Sequence, residues 1–248
     1  MSGQLPSKSS RYLPALAAAL GLAVGGPLAR AADVAAAPPS GAVTVLDNER
    51  VHVERVDIPP GASVLPATGG SDQLVVFIHG GLLRSQDSGR TVAWRDGRVC
   101  WRAAGAPPEA ASRNVGSTPI VMVRVSLKPV TAVAAAAARA GWPPAVPLSY
   151  PNIPGEDLLT NDAVFVQRFL VQPGQWEGVH AHPPNMLYIH VRGGQWAARS
   201  RTEREHQYPA PTPDGGVGWM ATIPLSEGHE SGNAGKEPID LIWVTLRK

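Results

Sequence analysis

The chain repeats itself, and a pattern written twice in one polypeptide has to fold into the same unit twice. Val53, Arg55, Pro60 and Gly61 return as Val166, Arg168, Pro173 and Gly174, at an offset of 113 residues. Leu74, Gly80 and Gly81 return at the same offset as Leu187, Gly193 and Gly194. Asn114, Gly116 and Pro119 return as Asn233, Gly235 and Pro238, but at an offset of 119. The second copy therefore carries six extra residues between the two halves of the unit. Each copy closes on an apolar run, residues 120–127 and 239–246.

Within each copy, short apolar runs alternate with Gly, Pro, Asn and Asp. Residues 51–58, 74–78, 121–127, 164–171 and 187–191 read as strands of this kind. The pattern predicts an all-β chain of two tandem antiparallel barrels or double sheets, at residues 44–128 and 163–248. Residues 129–162 read as a connection. An Ala-rich stretch with helix propensity at 130–140 leads into a stiff strap carrying Pro143, Pro144, Pro147, Pro151 and Pro154.

Residues 1–31 have the layout of a cleavable signal peptide. Lys8 and Arg11 precede an apolar run, and Ala29-Arg30-Ala31 offers a small-residue cleavage site. The expectation is cleavage near Ala31, a flexible leader over 32–43, a periplasmic or secreted mature protein, and no membrane attachment after processing. Without Lys8, Arg11 and Arg30 the 22 basic residues fall to 19, against 20 acidic ones. A balanced charge with no basic cluster excludes a nucleic-acid binder held by phosphates. A single cysteine, Cys100, excludes an intramolecular disulfide framework and reads as a small core residue. There is no phosphate-cradling loop, no serine elbow and no paired acids with glycosidase spacing.

Chemistry concentrates in the second copy. His180 follows Gly174 after five residues, and His182 lies two further on. Residues two apart on a strand share a face, so both imidazoles can aim at one point. His229 lies 47 residues beyond His182, four before Asn233. Three imidazoles suit Fe, Zn, Ni or Cu and leave positions open for water or substrate. Their ring nitrogens are expected about 3–4 Å apart, as a metal roughly 2.0–2.1 Å from each would require. Alternation from Met186 puts Tyr188 and His190 on one face, as candidate proton donors or substrate-orienting groups, or as buried residues satisfied by neighbours. In the loop before His180, Glu177 is a candidate acid or base and Trp176 a candidate lid, and each also reads as a plain surface residue. Asn233 reads as fixing the turn near His229. The mixed charges over 199–205 read as a solvated segment, and His206 has no role.

These spacings resemble the cupin superfamily of small barrels. That family's first motif runs Gly, five residues, His, one residue, His, three or four residues, Glu, six residues, Gly. Here Gly174, His180, His182 and Gly193 stand in place, and Met186 stands where the Glu would be. The second motif places Asn four residues after a His, as His229 and Asn233 stand. Doubled, the resemblance implies a bicupin, a jelly-roll or double-stranded β-helix barrel built twice. It implies one divalent metal on His180, His182 and His229. Met186 weighs against a hard-cation site with a carboxylate ligand and reads as an apolar wall closing the fourth side; as a thioether it would suit Cu. The first copy has Ala67, Gly69, Gln73 and Ala110 at the four ligand positions, so it should be apolar or filled there, bind nothing, and serve a structural or interfacial role. Three functions stay open: an exported metal-dependent enzyme on a small molecule, with dioxygenase chemistry as one form, a non-enzymatic binder of a sugar or organic acid, and a structural bicupin with a degenerate site.

Overall fold

The computed structural model describes residues 40–65, 70–107, 110–130, 150–200, 205–224 and 226–247. Residues 1–31, read above as a signal peptide, most of the expected leader, nearly all of the Ala-rich stretch, most of the expected strap, and Ala67 and Gly69 lie outside them. The described residues form seventeen strands, all antiparallel in their pairing, arranged as the two barrels the repeat requires.

In the first barrel, β1 (Gly41–Asp47), β2 (Val51–Ile58), β9 (Ile120–Leu127), β4 (Gln73–His79) and β7 (Val99–Arg102) form one sheet in that spatial order. The facing sheet runs β3 (Ser63–Val64), β8 (Ser112–Asn114), β5 (Gly81–Ser85), β6 (Thr91–Trp94). The second barrel reproduces the large sheet with β10 (Glu156–Thr160), β11 (Val164–Val171), β17 (Ile239–Leu246), β12 (Met186–Arg192) and β15 (Val217–Met220). Its facing sheet is β14 (His206–Gln207), β13 (Trp196–Ser200), β16 (His229–Asn233).

Strand pairing extends the repeat at its leading edge. The outer strands β1 and β10 begin ahead of residues 44 and 163, and their register shifts, between Thr44 and Leu46 and between Asp157 and Leu159, fall at the 113 offset. Their burial is slight, which is why hydrophobic pattern alone does not mark them. The added residues are also placed. Leu83 pairs with Asn114 as Trp196 pairs with Asn233, still at 113. Val76 pairs with Val99 as Ile189 pairs with Val217, now at 118. Five of the six therefore fall between β13 and β15, in the segment that carries β14.

The two large sheets lie face to face. On β17, Ile242, Val244 and Leu246 face the first barrel, while Ile239, Leu241 and Trp243 point into their own. That double burial gives β17 a near-continuous apolar run in place of alternation. Between the sheets, Val51, Val53, Leu74, Val76, Ile78, Val121, Val123 and Val125 meet Val164, Val166, Leu187, Ile189 and Val191. Around this shared core the barrels grip one another reciprocally. Arg55 donates to the Asp214 carbonyl at 3.0 Å, and its repeat mate Arg168 lies over Gly97. Gly97 and Gly215 occupy equivalent turns with φ of 73° and 75°, a conformation that favours glycine.

Candidate metal centre

The three histidines come together. The His180 segment pairs with His229 of β16, through reciprocal backbone bonds of 2.9 Å each, and the His182 segment pairs with Ile223. Extended backbone at 180–182 turns both side chains the same way. His180 Nε2 lies 3.0 Å from His182 Nε2, which lies 2.6 Å from His229 Nε2. The second separation is shorter than the expected spacing. Bare nitrogen lone pairs so close repel unless a proton or cation is shared between them.

Their protonation can be read from their partners. His180 Nδ1 donates to the Gly178 carbonyl at 2.7 Å, so its Nε2 presents a lone pair. Burial lowers His180 to about 4 and His182 to about 2, and it lowers His229 as well. All three are neutral imidazoles at neutral pH, the form a metal takes as ligand. Glu230 secures the Gly178 loop. One carboxylate oxygen accepts from Gly178 N at 3.1 Å and the other from Arg199 Nε at 2.6 Å. Asn233 does what its sequence position suggests. Its side-chain amide donates to the Val171 and Glu237 carbonyls, and its oxygen accepts from Gly235 N. Asn114 makes the same three bonds in the first barrel, to Ile58, Thr118 and Gly116, so the asparagine serves the turn whether or not histidines are present.

Glu177 is not a surface residue. It is 2 % exposed, and its Oε2 lies 3.8 Å from His180 Nε2. The Tyr150 hydroxyl donates to it and accepts from Trp243 Nε1. Loss of water raises the Glu177 carboxyl to about 8. Tyr150 belongs to the stretch read as a connecting strap. The strap delivers this residue into the site, and no pattern around Tyr150 or Glu230 announces either role. Trp176 is no lid: it lies against Gly232 of β16 with Arg199 stacked 4.0 Å above its ring.

A cavity of about 370 Å³ opens beside the cluster. His182, His229 and Glu177 line it together with Tyr188 and His190, as β12 alternation requires. Trp196, Trp243, Leu241 and Met220 supply apolar wall, and Tyr208, Pro209 and Ala210 come from the inserted segment. His190 Nε2 accepts from Trp196 Nε1 at 3.0 Å, which leaves the proton on Nδ1. That buried Nδ1 has no hydrogen-bond partner among the described residues, and neither has Nδ1 of His182. Met186 is fully buried in an apolar cluster with Phe169, Val171 and Trp243, as a wall residue would be.

The first barrel departs from expectation. The spot that includes Gln73 and Ala110 is neither filled nor wholly apolar. These two line a cavity of about 200 Å³ together with Arg102 and Arg124. The arginines stand at the repeat positions of Met220 and Trp243, so exchanging bulky apolar residues for long cationic ones left the space open.

No family model matches the chain, and no curated protein matches it in sequence. Solved structures do. AerE from Microcystis aeruginosa matches over 85 % of this chain and 98 % of its own, with TM-score 0.52 and 11 % identity. Oxalate decarboxylase from Bacillus subtilis matches over 83 % and 71 %, with TM-score 0.51 and 13 % identity. A cupin 2 conserved barrel domain protein from Leptotrichia buccalis covers 84 % and 88 %, with TM-score 0.47 and 9 % identity. In fold the chain thus resembles a bicupin, two cupin-like barrels in one polypeptide, and the second of them carries the three-histidine cluster.

Proposed function

We propose that His180, His182 and His229 hold one transition-metal ion, and that the chain is an exported metal-dependent enzyme acting on a small molecule in the adjoining cavity. The observation that carries this reading is the convergence of three neutral imidazole nitrogens on one point. An all-nitrogen set suits Fe, Zn, Ni or Cu and disfavours Mg or Ca. Such an ion, when bound, supplies a Lewis acid or, as Fe or Cu, a redox centre for oxygenase chemistry. The chain's own residues do the rest. Tyr188 faces the cavity as a donor to an acceptor on the ligand, and the His190 ring forms part of the wall with its Nδ1 buried. Glu177, backed by Tyr150, holds or releases a proton at its carboxyl beside His180. Trp196, Trp243 and Tyr188 give the cavity aromatic walls. Among the described residues no Lys or Arg lines the cavity.

A non-enzymatic binding barrel is the second reading, favoured by the mostly aromatic and apolar walls, which would hold a ligand equally well without turnover. Turnover of a bound compound separates the two.

Metal analysis tests the proposal. The mature protein should hold about one transition metal per chain, and a variant carrying His180→Ala and His182→Ala should hold none. Equal metal content in the two would end this reading. Because burial lowers His180 and His182, protons compete with the metal only well below their ordinary range. Metal should therefore remain bound after dialysis at pH 5.5 and be lost near pH 4. Export rests on the basic start, apolar run and small-residue site of residues 1–31. N-terminal sequencing of native material should begin near Ala32, and Met1 or Ser2 in a cytoplasmic fraction would overturn it.

A further inference from the structure

We infer that the ligand of the second barrel is a planar aromatic compound, its ring laid against Tyr188. This rests on reading the adjoining cavity as a small-molecule site, whether or not turnover follows. One row of side chains across three strands carries it. On β15, β12 and β17 the row is Gly218, Tyr188 and Trp243, and the same row of the first barrel is Cys100, Val75 and Arg124. Where the first barrel sets two side chains of middling size next to each other, the second sets a tyrosine next to no side chain at all. A Cβ at Gly218 would lie 2.2 Å from Tyr188 Oη and 2.3 Å from Cζ, so the end of the ring occupies the room a side chain at 218 would take. The middling pair would fill a barrel equally well. The glycine instead lets Tyr188 lean over β15 while its ring lines the cavity.

The other rings are fixed around it. Trp243 stands at 77° to Tyr188 with centroids 5.5 Å apart, and His190 at 78° with centroids 5.3 Å apart. Trp243 Nε1 donates to the Tyr150 hydroxyl, and Trp196 Nε1 to His190 Nε2 at 3.0 Å, so neither indole can turn without breaking a buried hydrogen bond. The first barrel has Leu83 and Arg124 at the places of Trp196 and Trp243. Rings held nearly at right angles suit a flat guest, whose face can lie on one ring while its edge meets the face of the other. A puckered ring of similar size cannot approach both so closely. Because the walls are already set, little ordering is needed when the ligand enters.

Phenol and cyclohexanol are the probes, since both carry one hydroxyl on a six-membered ring and only phenol is flat. Each is titrated into the full chain, freed of metal by a chelator, and its dissociation constant is read by ligand-observed NMR. Phenol should bind saturably, with a constant on the order of 1 mM, the range open to so small a ligand. It should bind about three- to tenfold tighter than cyclohexanol, the worth of one aromatic pair. Tyr188→Leu should bring the two constants together, whereas Tyr188→Phe, which keeps the ring and loses the hydroxyl, should hold them apart. Gly218→Ala should also bring them together, because its methyl group displaces the ring, and this tests the site even if Tyr188→Leu fails to fold. Equal constants in the parent chain, no saturable binding of phenol, or a preference for phenol that survives in both Tyr188→Leu and Gly218→Ala would overturn the inference. With metal absent throughout, none of these results turns on whether the histidines hold an ion, and a metal-binding chain without the preference would lose this inference alone.

Discussion

Glu177 illustrates how far position outweighs residue type. In water a glutamate ionises near 4.5, but here burial raises the carboxyl to about 8. The folded chain then keeps a proton that the unfolded chain has lost between those values, so this group costs stability as pH rises from about 4.5 to 8. Glu177→Gln cannot ionise. In metal-free protein it should raise stability at pH 8 by about 2–4 kcal/mol and change little at pH 4, read from urea melts. The buried histidines act in the opposite sense. His180 and His190 are lowered to about 4, so the unfolded chain binds more protons between about 4 and 6.5, and stability falls as pH drops through that window. The histidine cluster was legible in the sequence because its spacing is fixed by two strand segments. Glu177 was legible only as a candidate, and Tyr150 and Glu230 not at all, because their roles depend on where loops cross and not on any period along the chain.

Elements are where the repeat is most exact, and most of it could be read in advance. The apolar runs mark β2, β4, β9, β11, β12 and β17 because each is buried on at least one face. The outer strands β1 and β10 escape the same reading, since an exposed edge places few demands on its side chains. The turns at Asp96-Gly97 and Asp214-Gly215 are the other feature that only coordinates reveal. Asp96 accepts from Gly80 N at 2.7 Å and Asp214 from Gly193 N at 2.8 Å, while each glycine adopts positive φ beneath an arginine of the other barrel. A Cβ at Gly97 would lie 2.6 Å from Arg168 Cζ. Gly97→Ala should therefore destabilise the chain by about 1–3 kcal/mol, from left-handed strain together with displacement of the arginine, and thermal melting would register it. A variant as stable as the parent would show that the turn relaxes freely.

For the whole molecule the deciding quantity is the apolar layer between the large sheets. It draws nine buried residues from each barrel among the described residues, nearly all Val, Ile or Leu. Neither barrel can expose that face to water without losing the burial that stabilises its own sheet. Residues 150–248 expressed alone should be insoluble or should self-associate through Leu187, Ile189, Ile242 and Val244, and equilibrium sedimentation would distinguish these outcomes from a stable monomer. The intact chain should unfold in one transition, with fluorescence and circular dichroism midpoints coinciding.

The crossed grip of Arg55 and Arg168 carries a further consequence. A contact in which each half does to its partner what the partner does to it has the form of an isologous interface, the kind two identical subunits make about a two-fold axis. Here both halves are carried by one chain, so every encounter joins the same two unlike faces and neither must remain a copy of the other. The symmetry is kept where the barrels touch and abandoned inside them. Joining a pair that would otherwise be identical lets one interior carry imidazoles while the other carries guanidinium groups at different positions, those that Met220 and Trp243 hold in the imidazole-bearing barrel.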